Sequence, residues 1–347
     1  MKMVDIKGKK YVVLSEIVDA VSTESVEGKN FINNLPGIFL LTNVSKRNKK
    51  NGGIYLSCLV RDKKISMDSR IWDWKGDIPE SGQIVVADYS YDQNFGLALN
   101  LVRGKISVSE ALKREDLIDV LDVLIPKVDV ENLKKELERL VDTISNDKLK
   151  KLLRILFFGD EEFSKLFFKS PAASTNHHVR IGGLLEHSVR LAKMCEAIAE
   201  FFEGFVDKDL LISGSLIHDI GKVYSYNFED LSFEMTNEGL LEDHIVIGIK
   251  LLTKAIQKID EFPKEFEELL THIVVSHHGL KEWGSPVPPK TLEAIIIHNL
   301  DRLEAQADAY IETLKNTPND RSWSSYIPML GSSVFISRKL NDEKIDE

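Results

Sequence analysis

The chain has 347 residues, 43% of them hydrophobic and 29% charged, a composition that fits a globular protein with a sizeable core and room for two domains. Its formal net charge of −10 argues against a protein that coats nucleic acid indiscriminately, because such affinity comes from neutralising phosphates with Lys and Arg. Two cysteines, Cys58 and Cys195, are too few for a disulfide framework or a thiolate metal site, and apolar runs as short as 294–297 exclude a membrane span.

Residues 1–36 read as an N-terminal extension without an assigned structure. Its first seven residues lack the apolar stretch of a signal peptide, so the expectation is a cytoplasmic protein with no membrane partner. From 37 to 107 the pattern is that of short strands, 38–41, 54–60, 65–72, 83–89 and 97–102, separated by turn signals at 51–53, 62–64 and 92–96. Five strands in so short a span predict a small Greek-key barrel of the OB type, with a small antiparallel sandwich as the competing architecture. The expected fold class is therefore α+β multidomain, an OB-type β-barrel followed by an all-α bundle.

Within 37–107 the stretch 46–70 carries Lys46, Arg47, Lys49, Lys50, Arg61, Lys63, Lys64 and Arg70 against only Asp62 and Asp68. A solvated loop and a nucleic-acid surface explain such a run equally well. An OB surface binds single strands by stacking bases on aromatic rings while basic residues follow the backbone. Tyr55, Trp72, Trp74, Tyr89, Tyr91 and Phe95 are the available rings, and about half of them are needed to fill a small barrel. Alternation puts Trp72 on the same face as Arg70. Arg70 and Trp72, with Lys63 and Lys64, are the expected nucleic-acid contacts.

After residue 107 the period changes to that of helices, with a connector at 108–150, a helical domain at 151–325 and a charged C-terminal tail at 326–347. None of the nine histidines lies before residue 177. His218 and Asp219 end an apolar run that begins at Leu210, and a polar pair of this kind in a buried helix requires a partner. Histidine nitrogen with carboxylate oxygen is the ligand set of borderline divalent ions, manganese first among them here, with Fe2+, Co2+ and Ni2+ also compatible. His187 falls on the buried stripe of Leu184, Leu191 and Cys195; His244 falls with Leu240, Leu241, Ile247, Gly248 and Leu251; His277 follows Ile273 by one turn, and Asp301 follows Ile297 in the same way. A lone histidine on an apolar face is usually a core residue bonded to a carbonyl. Several at once are satisfied more economically by a shared cation.

The order His187, His218-Asp219, Asp301 resembles the H…HD…D signature of the HD-domain phosphohydrolases, and Lys222 matches a lysine three residues after the aspartate. The resemblance implies that His187, His218, Asp219 and Asp301 bind one metal. It further implies that His244, His277 and His278 are the extra ligands of a second metal bridged by Asp219, giving two divalent ions per site. Lys222 then either stabilises charge on a phosphate or pairs with a ligand carboxylate. The stretches 182–188 and 277–294 are similar to those of the YhaM family of bacterial 3′-to-5′ exoribonucleases, which also joins an OB-fold to an HD domain, so the resemblance runs from about residue 37 to 325.

That family implies a hydrolase releasing nucleoside 5′-monophosphates from single-stranded RNA, with single-stranded DNA a compatible substrate. Asp219, Lys222 and His177 would form the catalytic set. For Asn176, His177 and His178 two readings stay open: contact with the substrate phosphate or proton transfer, or a cap on the following helix. The alternative function is an HD-domain phosphodiesterase or phosphohydrolase acting on small or cyclic nucleotides; the absence of a Gly-Tyr-Pro word after the ligand histidines counts against its cyclic-di-GMP branch. A homo-oligomer is compatible with the sequence, which does not set the subunit count.

Overall fold

The computed structural model describes residues 3–6, 8–23, 35–50, 52–63, 65–92, 96–111, 113–114, 117–125, 128–172, 180–227, 234–317, 322–324 and 326–337. His177, His178, Lys64 and Phe95 lie outside the described residues. The chain forms two compact units. One comprises 1–126, 229–233 and 309–347, and the other comprises 127–228 and 234–308.

The first unit opens with a hairpin, β1 (Met3–Ile6) and β2 (Lys9–Val12), and helix α1 (Leu14–Thr23). Five strands follow: β3 (Gly37–Asn48), β4 (Ile54–Arg61), β5 (Ser66–Ile71), β6 (Gln83–Asp92) and β7 (Gly96–Ser107). Their order is β3-β4-β5-β7-β6, and β6 returns to pair with β3, which closes the barrel. The β5–β7 pairing is parallel and the other barrel pairings are antiparallel, the connectivity of an OB barrel. A closed barrel, rather than a sandwich, is thus the architecture that the strand pattern encodes.

Alternation fills its interior. Leu56, Cys58 and Val60 from β4, Val85, Ala87 and Tyr89 from β6, and Leu97 and Leu99 from β7 are buried together with Phe39 and Ile71. Tyr89 and Tyr91 are therefore core rings and not platforms, and Arg61 is buried as well. The N-terminal residues are not a loose extension: β2 joins β3 in parallel, and Val12, Leu14 and Ile17 enter the same core. Two short helices, α2 (Val108–Ala111) and α3 (Ile118–Leu124), follow the barrel.

The second unit contains α4 (Val130–Thr143), α5 (Asp147–Phe158), α6 (Glu161–Phe167), α7 (Gly183–Ala199), α8 (Lys208–Ile217), α9 (Lys222–Ser225), α10 (Asn237–Ile256), α11 (Lys264–Ser276) and the first part of α12 (Leu292–Asn316). A two-stranded ribbon, β8 (Tyr226–Asn227) with β9 (Glu234–Met235), joins α9 to α10. Polar residues start several helices: the side chains of Asp129, Asn146, Asp160, Asp207 and Thr236 accept from backbone N–H groups of the first turns of α4, α5, α6, α8 and α10. One apolar core runs through the bundle, from Leu137 and Leu152 through Leu184, Leu191 and Ile212 to Ile273 and Ile297. Among the described residues no helix is long and apolar enough to cross a membrane.

Candidate metal centre

Five helices deliver the polar residues of the bundle to one place. His187 comes from the second turn of α7, where the apolar stripe holds it fully buried. His218 and Asp219 follow the last turn of the apolar helix α8, and His277 stands at the end of α11 in the same way. Asp301 projects from α12.

His244 requires a break. Asp243, inside α10, has φ 62° and ψ 158°, a conformation that an L side chain adopts only at a cost of about 1–3 kcal/mol. The break turns His244 inward while Leu240 and Leu241 remain 68% and 85% exposed. The continuous helical stripe expected through Leu240, Leu241 and His244 therefore does not form. Gly221 permits the close approach on which this arrangement depends. A Cβ at that position would lie 1.9 Å from the carbonyl oxygen of His244.

The donor atoms form two groups that share Asp219. His187, His218 and Asp219 make one, and Asp219, His244, His277 and His278 the other; within each group the candidate ligand atoms all lie within 4.8 Å of one another. Nε2 of His187 is 3.2 Å from Nε2 of His218, 3.1 Å from Oδ1 of Asp301 and 3.6 Å from Oδ2 of Asp219. Oδ1 of Asp219 faces the other way, 3.4 Å from Nε2 of both His244 and His277, which are themselves 3.4 Å apart.

The second nitrogen of each ring decides what these contacts mean. A carbonyl oxygen can only accept, so Nδ1 of His218 donates to Ser215 at 2.7 Å, Nδ1 of His277 to Val274 at 2.8 Å and Nδ1 of His278 to Trp283 at 2.7 Å. Nδ1 of His187 meets the Glu304 carboxylate at 2.7 Å, and Nδ1 of His244 meets Asp243. The carbonyls hold a proton at Nδ1 of His218, His277 and His278, which leaves Nε2 of each ring as the atom turned to the centre, and a shared cation is what such convergent nitrogens can hold. Among the described residues, Oδ1 of Asp219 is buried with no hydrogen-bond partner. Convergent imidazoles and an orphaned carboxylate oxygen are what a pair of divalent cations would satisfy, so the residues fit the group.

The field of the site points the same way. Burial alone would raise the Asp219 carboxyl, but Lys222 and His218 outweigh it and hold the group well below the usual carboxylate range. Burial opposes a proton on His187, yet Asp301 and Glu304 outweigh it and lift the imidazole to about 10, the mark of a nitrogen held where positive charge is favoured. Burial, with neighbouring His277, pushes His278 down to about 4. Nζ of Lys222 donates to Oδ2 of Asp219 at 2.6 Å, so the structure shows the pairing with a ligand carboxylate.

Sequence reasoning missed the supports. Arg180 donates to Glu186 at 2.7 Å and to Asp308 at 2.8 Å, and Arg190 pairs with Glu186 at 2.6 Å, tying α7 to α12 behind His187. The signal was present: Asp301, Glu304 and Asp308 fall at helical spacing along the face of α12 that otherwise carries Ala294, Ile297 and Ala305.

On the barrel, Arg70 and Trp72 are exposed on one face. Trp72 packs on Tyr55 with ring centroids 5.3 Å apart, and Nζ of Lys49 stands 5.3 Å over the Trp72 ring. Arg47 is the cross-strand neighbour of Tyr55, and Ser57 that of Arg70. The structure does not bring Lys63 to this cluster. It lies beyond the other end of β4, about 20 Å away at the ordinary strand rise per residue.

Comparison with known proteins places these features in a family. Residues 184–306 match the HD domain, the segment that carries every described candidate ligand. Over 273 residues the chain is 31% identical to the 3'-5' exoribonuclease YhaM of Bacillus subtilis (strain 168), spanning 77% of this chain and 83% of that protein. The chain belongs to the YhaM family. Its likeness to the YhaM protein of Geobacillus sp. (strain WCH70) is 29% over 273 residues, covering 77% and 81% of the two chains. The YhaM protein of Listeria monocytogenes serotype 4b (strain CLIP80459) is 29% identical over 286 residues, or 81% and 88%. No solved structure gives a significant match.

Proposed function

We propose that this chain is a metal-dependent 3′-to-5′ exoribonuclease that hydrolyses single-stranded RNA to nucleoside 5′-monophosphates. The observation that carries the reading is the buried Asp219, whose two oxygens address two separate groups of imidazoles, in a chain whose relatives bear the exoribonuclease name. His187, His218, Asp219 and Asp301 would hold one divalent cation; Asp219, His244, His277 and His278 would hold a second. Manganese is the leading candidate, and iron, cobalt and nickel accept the same donors. Such ions, when bound, lower the pKa of water and offset charge on the attacking and leaving oxygens of a phosphodiester.

The chain's own residues do the rest. Glu304 and the carbonyls of Ser215, Val274 and Trp283 fix the ring orientations before substrate arrives, so none of that ordering occurs during the reaction. Lys222, whose ammonium is kept charged by Asp219 against the cost of burial, balances negative charge as a phosphate enters. His177 stands five residues before the start of the Gly182-Gly183 turn that leads into α7, and we assign it a contact with the substrate phosphate. On the barrel, Arg47, Lys49, Tyr55, Arg70 and Trp72 would hold the strand by stacking and backbone charge.

The test is digestion of 3′-labelled and 5′-labelled single-stranded RNA with manganese. Release of mononucleotides from the 3′ end, abolished by Asp219→Ala, is the expected result. Stability of both labels under each of the four metals would overturn the assignment, and cleavage confined to free or cyclic nucleotides would replace it with a small-nucleotide phosphodiesterase.

A further inference from the structure

Beside the metal centre stands an indole that hydrolysis alone leaves unused. Trp283 closes the short 3₁₀ turn Lys281–Trp283, and its carbonyl oxygen accepts from Nδ1 of His278 at 2.7 Å. Its backbone therefore anchors a member of the second donor group directly. The turn is held on both sides. Gly279 has φ +81°, and a Cβ there would come within 2.3 Å of the His298 ring, while Gly284 has φ +99° and donates its N–H to Lys281 at 3.0 Å. The N–H of Ser285 donates to the carbonyl of Leu280 at 3.1 Å, and His298 donates to the carbonyl of His277 at 2.7 Å.

This fixed turn leaves Trp283 46% exposed, so its ring is not there to fill the core. Arg302, next to Asp301 on α12, lays its guanidinium over the indole 5.0 Å from the ring centroid. Arg302 is exposed and makes no ion pair among the described residues, so its N–H donors are available. A half-exposed indole and a planar cation thus adjoin His278, a member of the second donor group, on one side and Asp301, which contacts His187 of the first at 3.1 Å, on the other.

The geometry points to a nucleotide subsite in which Trp283 stacks the base and Arg302 binds a phosphate oxygen, an inference that rests on the exoribonuclease reading for the position of that phosphate. Arg matches phosphate with parallel N–H donors, and the ring it covers is thereby stiffened. Stacking is indifferent to base identity because every base has a π-face. The same contact discriminates against a paired terminus, whose base is already stacked within the duplex.

The test is calorimetric titration of the manganese-loaded full chain with AMP and, separately, with ribose 5-phosphate, which lacks the base. AMP is expected to bind at least about tenfold tighter, the lower part of the range for one stacked base. Trp283→Ala should bring the two affinities within about twofold while leaving that for ribose 5-phosphate and the metal content unchanged; Trp283→Phe should keep most of the preference. Arg302→Ala should weaken both ligands by a similar factor. Equal affinity of the wild-type chain for the two ligands overturns the subsite, and so does an equal loss of both in Trp283→Ala and Trp283→Phe, which would mark the indole as a prop for His278. Because binding is what is read, the two readings fail separately. A chain that prefers AMP but leaves RNA intact loses the nuclease and keeps the subsite, and one that degrades RNA without preferring AMP does the reverse.

Discussion

Asp219 is the residue on which the centre turns, because it alone belongs to both donor groups. Removing its carboxylate leaves two clusters of imidazoles without their shared anion and Lys222 without its partner at 2.6 Å. Asp219→Ala should therefore eliminate bound metal and RNA hydrolysis together, read by elemental analysis and by the end-labelled assay; a variant that keeps full turnover would remove the centre from the mechanism. Glu304 acts one step away. It touches no candidate ligand atom directed at the centre, but it holds Nδ1 of His187 and so determines which nitrogen is free. Glu304→Gln can present its amide nitrogen or its oxygen to that ring and no longer enforces the orientation. Metal affinity should fall about 10- to 100-fold, the usual effect of losing such a partner. Titration with manganese reads this directly, and activity restored at saturating metal would separate positioning from chemistry.

At the scale of elements, the break at Asp243 and the glycine at 221 are two sides of one contact. The Gly221 segment packs against the backbone of His244 so closely that even a methyl group does not fit, and the Asp243 conformation turns His244 toward Asp219. Gly221→Ala should destabilise the protein by about 3 kcal/mol or more, since the obstacle is backbone and not a movable side chain. Asp243→Gly is expected to act in the opposite sense on stability, because glycine relieves strain of about 1–3 kcal/mol, while the loss of the carboxylate frees the His244 ring and weakens metal binding. Thermal unfolding and manganese titration on the same variant read the two effects. A fall in melting temperature with unchanged affinity would show that the backbone at 243 is not strained for the sake of His244.

This break also marks the limit of what the sequence discloses. The five strands were legible because period-two alternation is a local signal, whereas the β3–β6 pairing that closes them into a barrel rather than a sandwich is not; His187, His218 and His277 were legible because their apolar neighbours recur at helical spacing. Leu240 and Leu241 carried the same spacing before His244 and still ended up exposed, since one residue at positive φ resets the face of the helix. Periodicity presumes uniform dihedrals and cannot register such a reset. The structured N-terminus was hidden for a different reason: β1 and β2 are four residues each, and their burial depends on β3, more than twenty residues away. Arg61 reads as a surface cation among its basic neighbours, yet it is buried, with Glu312 helping to hold its charge.

At the scale of the whole molecule, the proposed division of binding and hydrolysis between the two units can be tested without cutting the chain. Truncation before residue 108 would be a poor instrument, because residues 309–347 group with the barrel and not with the helical unit, and Glu312, the acid that offsets the buried Arg61, lies among them. Trp72 offers a cleaner one. It is 38% exposed and packs mainly on Tyr55 and under Lys49, so its loss costs the barrel little of its core. If the barrel holds the strand, Trp72→Ala should weaken binding of a long single-stranded RNA by about 5- to 150-fold, the loss of roughly 1–3 kcal/mol from one stacked base. Arg70→Ala should weaken it less and flatten the dependence of affinity on salt, because one fewer phosphate is neutralised. Neither change should alter the rate constant for a dinucleotide at saturation, since the proposed chemistry rests on residues 187–301. An equal drop on long and short substrates in both variants would mean that the barrel shapes the centre itself, whereas unchanged affinity for the long strand would place the RNA on another surface.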